Sequence, residues 1–260
     1  MSTPQDADLV LLHGWGTHSG VWGQVRSQLD AQSLALDFPG YGTQIKRKFP
    51  ADIDVLARDV LDRAPEVAIW GGWSLGGMVA LRAATIAPER VRGLMLVCST
   101  PKFVASSDWS AGTDIEVFES FAESLTKDYA RNLRRFLLLQ AGDSKRARQF
   151  SVPIREIIES APQPSTETLN NGLALLKNLD MREQLGKLDI PLRLISGQKD
   201  RICHPDASKW FAGKLGGRHT KLPSGHGPLL SHPQALAEDL TALLNEVMAP
   251  AAGRASATHK

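Results

Sequence analysis

A serine between glycines is the residue of this sequence best placed to do chemistry. Gly72-Trp73-Ser74-Leu75-Gly76 is a GxSxG motif between a short apolar run and a segment rich in small residues, the pattern of a strand that turns sharply into a helix. Glycines are needed there because side chains two residues either side of the serine would collide with the neighbouring strand and helix. The motif predicts a nucleophilic Ser74; the plainer alternative is an ordinary glycine-rich turn with a capping serine.

A serine hydroxyl becomes a nucleophile when a base accepts its proton and a carboxylate orients that base. We expect His226 to be the base and Asp200 the carboxylate, since each follows a predicted strand. All three residues then lie at the carboxyl ends of strands, the edge where ligands bind in open α/β sheets. The sequence also offers less well placed alternatives, which are Asp189, Asp206, His204, His219 and His232.

An acyl-transfer intermediate also needs hydrogen-bond donors for its negatively charged oxygen. The backbone N–H of Leu75, at the start of the predicted helix, is the first candidate. The second is the N–H of Trp15, in the loop after the first predicted strand. His13 is expected to be a structural hydrogen-bonding residue, although the side chains of His13 and Trp15 could simply fill the core beneath the site.

The elements that would position these residues alternate along the chain. Short apolar runs that end in glycines or turns alternate with amphipathic segments, which predicts parallel strands joined by helices, an α/β fold. The predicted strands are 9–12, 33–36, 67–70, 91–97, 191–195 and 219–222, and the predicted helices are 22–29, 53–64, 75–87, 207–215 and 233–248.

Residues 101–181 differ from the rest, since they have mainly helical periodicity. We therefore expect a helical lid, inserted into a core domain formed by residues 1–100 and 182–248. Residues 249–260 have no apolar pattern and are expected to be a disordered tail.

The predicted lid contains a basic stretch between Leu125 and Arg155. Its positive residues are Lys127, Arg131, Arg134, Arg135, Lys145, Arg146, Arg148 and Arg155, opposed by Asp128 and Asp143. This stretch is either a solvated helix face or a docking surface for an acidic partner whose ligand must reach Ser74.

Composition limits the class of protein. A chain of 260 residues that is 42% hydrophobic can bury one large core without metals or disulfides. The net charge of +2 is too small to indicate a nucleic-acid partner. No phosphate-binding loop or HExxH zinc motif is present, and no metal site is expected. With no apolar run of about 18 residues and no signal-peptide pattern, we expect a cytoplasmic enzyme that does not bind membranes. A monomer is expected as well. Its Cys98 and Cys203 would be reduced thiols.

Beyond the GxSxG motif, the sequence resembles the pimeloyl-[acyl-carrier protein] methyl ester esterases of biotin synthesis over nearly its whole length. The matching segments are Leu9–Gly16, Ala68–Trp70, Gly72–Gly77, Pro88–Val91, Arg135–Gln140 and Asn171–Leu173. GxSxG alone marks only the α/β-hydrolase superfamily, whereas its combination with the Arg-Phe-Leu-x-Leu-Gln segment is much more selective. The resemblance implies the α/β-hydrolase fold, with a mostly parallel central sheet flanked by helices.

The resemblance also implies an activity and a set of roles. The activity is hydrolysis of the methyl ester at the far end of a pimeloyl chain on acyl carrier protein, without a cofactor. The implied catalytic residues are Ser74, Asp200 and His226, with the N–H groups of Trp15 and Leu75 as oxyanion donors. The implied substrate contacts are Trp15, Phe136 and Gln140, and the implied carrier-docking residues are Arg131, Arg135 and Arg148.

Two other kinds of function remain open at this point. A broad short-chain carboxylesterase or a carbon-carbon bond hydrolase could use the same triad beneath a merely hydrophobic lid. A non-catalytic receptor could keep the fold without the reaction, although an intact triad argues against it.

Overall fold

The computed structural model describes residues 8–127, 131–132, 155–157, 159–185 and 188–249. Within these residues, six strands form one sheet in the order β2-β1-β3-β4-β5-β6, and every neighbouring pair is parallel. The strands are β1 Leu9–Leu12, β2 Ser33–Leu36, β3 Ala68–Trp73, β4 Val91–Val97, β5 Leu192–Gly197 and β6 Arg218–Leu222. The predicted α/β fold with a parallel sheet flanked by helices is confirmed.

Helices connect the strands and cover both faces of the sheet. They are α1 Gly23–Arg26, α2 Ile53–Arg63, α3 Leu75–Ile86, α4 Ile115–Lys127, α5 Thr166–Asn178, α6 Pro205–Leu215, α7 Pro228–Ser231 and α8 Pro233–Met248. Every residue of β1 and of β3 is buried. Strands covered on both faces read as continuous apolar runs, which is why the sequence pattern locates them.

Two predicted elements differ most from the observed ones, and β5 also ends two residues later than expected, at Gly197. The helix expected over 22–29 is a 3₁₀ turn at Ser19–Trp22 followed by the single turn of α1. After α1 the N–H groups of Gln28 and Leu29 donate to the carbonyls of Val25 and Arg26, three residues back, so the chain continues in tight turns and not as an α-helix. Strand β3 continues to Trp73, past the expected end at Trp70, because its glycines stay in the sheet.

The segment between β4 and β5 contains α4 and α5, and its two ends meet. Lys102 and Asp180 form a β-bridge and an ion pair of 3.1 Å. Arg182 pairs with Asp108 and Asp180, both at 2.7 Å, and its guanidinium lies 5.4 Å from the centre of the Trp109 ring. The division into a core and a lid over 101–181 stays a prediction, and residues 250–260 of the expected tail lie outside the described residues. In the described part of the chain, no helix has the length and apolarity to cross a membrane.

Candidate active site

Ser74 sits at the junction between β3 and α3 with a backbone φ of 55°. This left-handed conformation is uncommon for a residue with a side chain and requires support from its surroundings. The Ser74 N–H donates to the Val97 carbonyl at 2.9 Å, and the Ser99 hydroxyl donates to the Ser74 carbonyl at 2.9 Å. Both bonds tie the junction to the end of β4, so the neighbouring strand holds the serine in its strained turn.

The glycines on either side of Ser74 allow the backbone segments to approach closely. A Cβ on Gly72 would lie 2.2 Å from the carbonyl oxygen of Gly76, and a Cβ on Gly76 would lie 2.4 Å from that of Leu12. Both distances are far below any real contact, and the atoms concerned belong to the backbone. The spatial reason for the GxSxG spacing is therefore present in this fold.

Asp200 and His226 form a buried pair on the loops after β5 and β6. The His226 imidazole Nδ1 lies 2.9 Å from Asp200 Oδ2. His226 is 2% exposed and Asp200 is 3% exposed. The other carboxylate oxygen, Oδ1, accepts from the backbone N–H groups of Ile202 at 2.8 Å and Cys203 at 2.9 Å. Because the carboxylate can only accept, Nδ1 must donate, which leaves Nε2 as the proton acceptor of the ring.

Ser74 and His226 line the same cavity, together with Trp15, Phe103, Leu176 and Ile202. The residue before the serine fixes the histidine loop, because the Trp73 indole N–H donates to the His226 carbonyl at 2.7 Å. The two rings are tilted with centroids 5.6 Å apart. The cavity thus combines a serine, a histidine with a buried carboxylate partner, and apolar walls, which suits attack on an acyl carbonyl.

None of the alternative acids and bases of the sequence lines this cavity. His204 and Asp206 lie on the surface and pair with each other at 3.2 Å. The His219 ring lies 2.8 Å from the Ser196 hydroxyl, the His232 ring lies 2.9 Å from the Ser231 hydroxyl, and Asp189 is exposed.

Trp15 joins the loop after β1 to helix α5. Its indole N–H donates to the Leu169 carbonyl at 3.0 Å, and Gly172 leaves room for the ring, since a Cβ there would lie 2.5 Å from it. Leu75 is the first residue of α3, where backbone N–H groups have no acceptor within the helix. Leu75 thus follows Ser74 directly and Trp15 lines the same cavity, while the role of their N–H groups as oxyanion donors stays a prediction.

His13 supports the loop that carries Trp15. The fully buried ring donates from Nδ1 to the Gly14 carbonyl at 2.8 Å and accepts at Nε2 from the Phe38 N–H at 3.0 Å. Burial lowers the pKa of His13 to about 4, despite the opposing effect of the Gly14 hydrogen bond. His13 is thus a neutral structural histidine, in agreement with the expectation from the sequence.

Two residues at the end of β4 adjoin the site, although neither was predicted to be a site residue. Ser99 holds the Ser74 carbonyl, as described above. Cys98 is fully buried behind the Asp200–His226 pair with a φ of 45°, and burial raises the pKa of its thiol well above the usual value. No motif or spacing marks either residue, because their partners are distant in sequence.

The residues expected to contact substrate and carrier fall mostly outside the described chain. Phe136, Gln140, Arg135 and Arg148 lie outside the described residues. Arg131 is described, and it is an exposed residue in a helical stretch.

Comparison with known proteins gives relatives over almost the full length. Residues 9–239 match the model of the Alpha/beta hydrolase family. The pimeloyl-[acyl-carrier protein] methyl ester esterase of Klebsiella pneumoniae is 38% identical over 244 residues, covering 92% of this chain and 93% of the relative. The protein of the same name from Pectobacterium atrosepticum is 37% identical over 245 residues, covering 91% and 94%. An esterase structure from Exiguobacterium antarcticum aligns with a TM-score of 0.78 at 22% identity, over 91% of each chain, a likeness in fold.

Replacing Asp200 by Asn should lower kcat/KM for an activated ester by about 10³-fold to 10⁴-fold, because the amide no longer fixes the Nδ1–H tautomer of His226. Steady-state hydrolysis assays on the folded variant measure this. The control is Asp206→Asn, which changes an exposed carboxylate on α6 and should leave the rate unchanged. A loss of less than tenfold in Asp200→Asn would contradict the assignment.

Replacing Trp15 by Phe keeps an aromatic ring but removes the hydrogen bond to Leu169. Since one such bond contributes about 0.5–1.5 kcal/mol, kcat should fall by about threefold to tenfold with a smaller change in KM. Trp109→Phe is the matched control, because that indole also donates to a backbone carbonyl, at 2.9 Å to Lys102, but does not line the cavity. Equal effects on kcat in the two variants would rule out a specific role for the Trp15 anchor.

His13 should make the protein less stable as the pH falls. Between pH 6.5 and about 4, His13 takes up a proton in the unfolded chain, whereas the buried ring of the folded protein stays neutral. The unfolded state therefore binds more protons, and the free energy of unfolding decreases by up to about 3 kcal/mol as the pH falls through this range. Urea denaturation at several pH values measures the slope. His13→Gln should flatten this slope, whereas His204→Gln, at an exposed site, should retain it. An unchanged slope in His13→Gln would refute the assignment.

Proposed function

The chain belongs to the alpha/beta hydrolase family and, within it, to the pimeloyl-[acyl-carrier protein] methyl ester esterases, and we propose on this basis that it is the carboxylesterase that converts pimeloyl-[acyl-carrier protein] methyl ester to pimeloyl-[acyl-carrier protein] and methanol in biotin synthesis. The observation that carries the proposal is one cavity lined by Ser74 and by His226, whose imidazole is hydrogen-bonded to buried Asp200.

The proposed reaction proceeds through an acyl-enzyme. Ser74 Oγ attacks the ester carbonyl carbon as His226 Nε2 accepts its proton, and the negative charge that develops on the carbonyl oxygen is met by the N–H groups of Trp15 and Leu75. Asp200 stabilises the resulting imidazolium.

The same residues complete the cycle. His226 returns the proton to the leaving oxygen, which departs as methanol and leaves the acyl group on Ser74. Water then attacks the acyl group while His226 again accepts a proton, and Ser74 is regenerated with release of the carboxylic acid. No step requires a metal or a cofactor.

The walls of the cavity suit a neutral ester better than its product. Trp15, Phe103, Leu176 and Ile202 present apolar surface beside Ser74. The methyl ester and the methylene chain can be buried against such surface at little cost, whereas an ionised carboxylate is costly to hold there. Hydrolysis would therefore favour release of the product. We further propose that Phe136 and Gln140 contact the pimeloyl chain.

Carrier recognition would come from the basic stretch of the predicted lid. We propose that Arg131, Arg135 and Arg148 bind the acidic surface of the carrier protein and align its acyl chain with Ser74. Arg131 is exposed, as a docking residue must be. All residues assigned to the chemistry come from one chain, which is compatible with a monomer, and the cytoplasm is the compartment proposed for the reaction.

A comparison of two substrates tests this function. The efficiency kcat/KM should be much higher for the carrier-bound methyl ester than for a small free ester such as dimethyl pimelate, because only the former gains from docking. Changing Arg131, Arg135 and Arg148 together to Glu should lower kcat/KM at least tenfold on the carrier-bound ester alone, and Ser74→Ala should abolish turnover of both.

Arg92→Glu is the charge-matched control. Arg92 is exposed at the amino end of β4, the edge of the sheet opposite the cavity, so its reversal should affect neither substrate. Equal efficiency on the free and carrier-bound esters, unaffected by the lid changes, would favour the broad carboxylesterase instead. Restored growth without biotin in a strain that lacks this esterase would support the proposed role in the cell.

A further inference from the structure

Three side chains of different chemistry converge behind the catalytic cavity. Cys98, Asp200 and His226 each offer one ligand atom, a sulfur, an oxygen and a nitrogen, and these atoms all lie within 4.8 Å of one another. The cysteine comes from the end of β4, the aspartate from the loop after β5 and the histidine from the loop after β6. All three residues are buried.

The backbone holds Cys98 in this position. Its N–H donates to the Ile195 carbonyl of β5 at 2.8 Å, and its φ of 45° is one of two positive values at non-glycine residues in the described chain, the other being that of Ser74. The thiol is 3.9 Å from the Gly225 carbonyl, directly before His226. The sulfur is therefore fixed against the loop that carries the proposed base.

We propose that Cys98, Asp200 and His226 form an inhibitory binding site for a thiophilic divalent cation, with Zn²⁺ and Cd²⁺ as the fitting ions. Thiolate, imidazole and carboxylate are the ligands these ions prefer, at roughly 2.0–2.3 Å for Zn²⁺. Three atoms within 4.8 Å of one another share a central point no more than about 2.8 Å from each, so side-chain shifts of under about 1 Å complete the coordination. The Gly225 carbonyl or a water molecule can supply the fourth ligand.

The position of the ion explains why it would inhibit. Coordination at His226 Nδ1 displaces the hydrogen bond to Asp200, and the ring proton moves to Nε2. The Cys98 thiol releases its proton to solvent, so one proton leaves for each ion bound. A ring with its proton on Nε2 cannot accept the proton of Ser74. Activity is then lost although the serine is untouched.

The loss of activity rests on the proposed role of His226, whereas binding of the ion does not. The experiment therefore measures both on the full-length protein titrated with CdCl₂. The first readout is the ultraviolet sulfur-to-cadmium charge-transfer band, recorded on wild type and on Ser74→Ala. The second is the rate of hydrolysis of a free ester, expressed relative to the rate of each variant without metal.

Cys203 provides a matched control, because it is the other buried cysteine but is not one of the three ligands. Wild type, Ser74→Ala and Cys203→Ala should each bind one Cd²⁺ with a charge-transfer band, and the two variants that keep Ser74 should lose activity reversibly on chelation. Cys98→Ser, which keeps nearly the same side-chain size, should lose the band and require at least tenfold more Cd²⁺ for inhibition. Cys98→Ala should behave like Cys98→Ser.

Two results would overturn the inference. One is the absence of a charge-transfer band in wild type, and the other is a band or an inhibition that survives in Cys98→Ser but disappears in Cys203→Ala. A protein that hydrolyses no ester yet shows the Cys98-dependent band would refute the proposed function and leave the binding site supported.

Discussion

The strained backbone of Ser74 is the constraint on which the arrangement of the site depends. Ser74 has a φ of 55° at the point where β3 turns into α3, and the backbone packs so closely there that neither Gly72 nor Gly76 has room for a side chain. Val97 and Ser99 hold the same turn from β4. A local distortion of this kind is stable only when its surroundings enforce it. The central strands of the sheet therefore help to set the geometry of the proposed catalytic site.

The order of the strands then decides which other residues can reach Ser74. All neighbouring strands are parallel, so the loops after β1, β3, β4, β5 and β6 emerge on one edge in a row. This row brings Trp15, Ser74, Cys98, Asp200 and His226 together from segments far apart in the chain. A buried carboxylate is costly in free energy unless hydrogen bonds replace its contacts with water. Asp200 accepts such bonds from two backbone N–H groups and from the His226 imidazole. Three bonds to one carboxylate fix its direction.

The sequence was informative where a local pattern reflects a local cause. Strands β1, β2 and β4 have the predicted bounds, and for β1 the reason is that a strand covered on both faces must be apolar throughout. The predicted end of β3 was wrong, because consecutive glycines resemble a turn. In the structure Gly71 and Gly72 belong to the strand, where a Cβ on Gly71 would collide with Leu11 and a Cβ on Gly72 with the Gly76 carbonyl. The pairing of Asp200 with His226 was foreseeable from the order of the strands. The bond between Trp15 and Leu169 and the position of Cys98 were not, because they join distant segments without any motif.

The proposed reaction and the proposed carrier recognition use different residues of the chain. Contacts of the segment after β4 link that segment to the loop that carries Trp15. The ends of that segment are fastened by Lys102, Asp180 and Arg182, and helix α5 is bonded to Trp15. Trp15 lies in the loop that carries a proposed oxyanion donor, so any displacement of α5 must be transmitted to that loop or break the bond. A carrier that docks on the proposed lid would thus act on a structure already connected to the catalytic loop. Selectivity for the carrier-bound ester would then be measurable in kcat as well as in KM, because contacts far from the reacting carbon would help to set the geometry there.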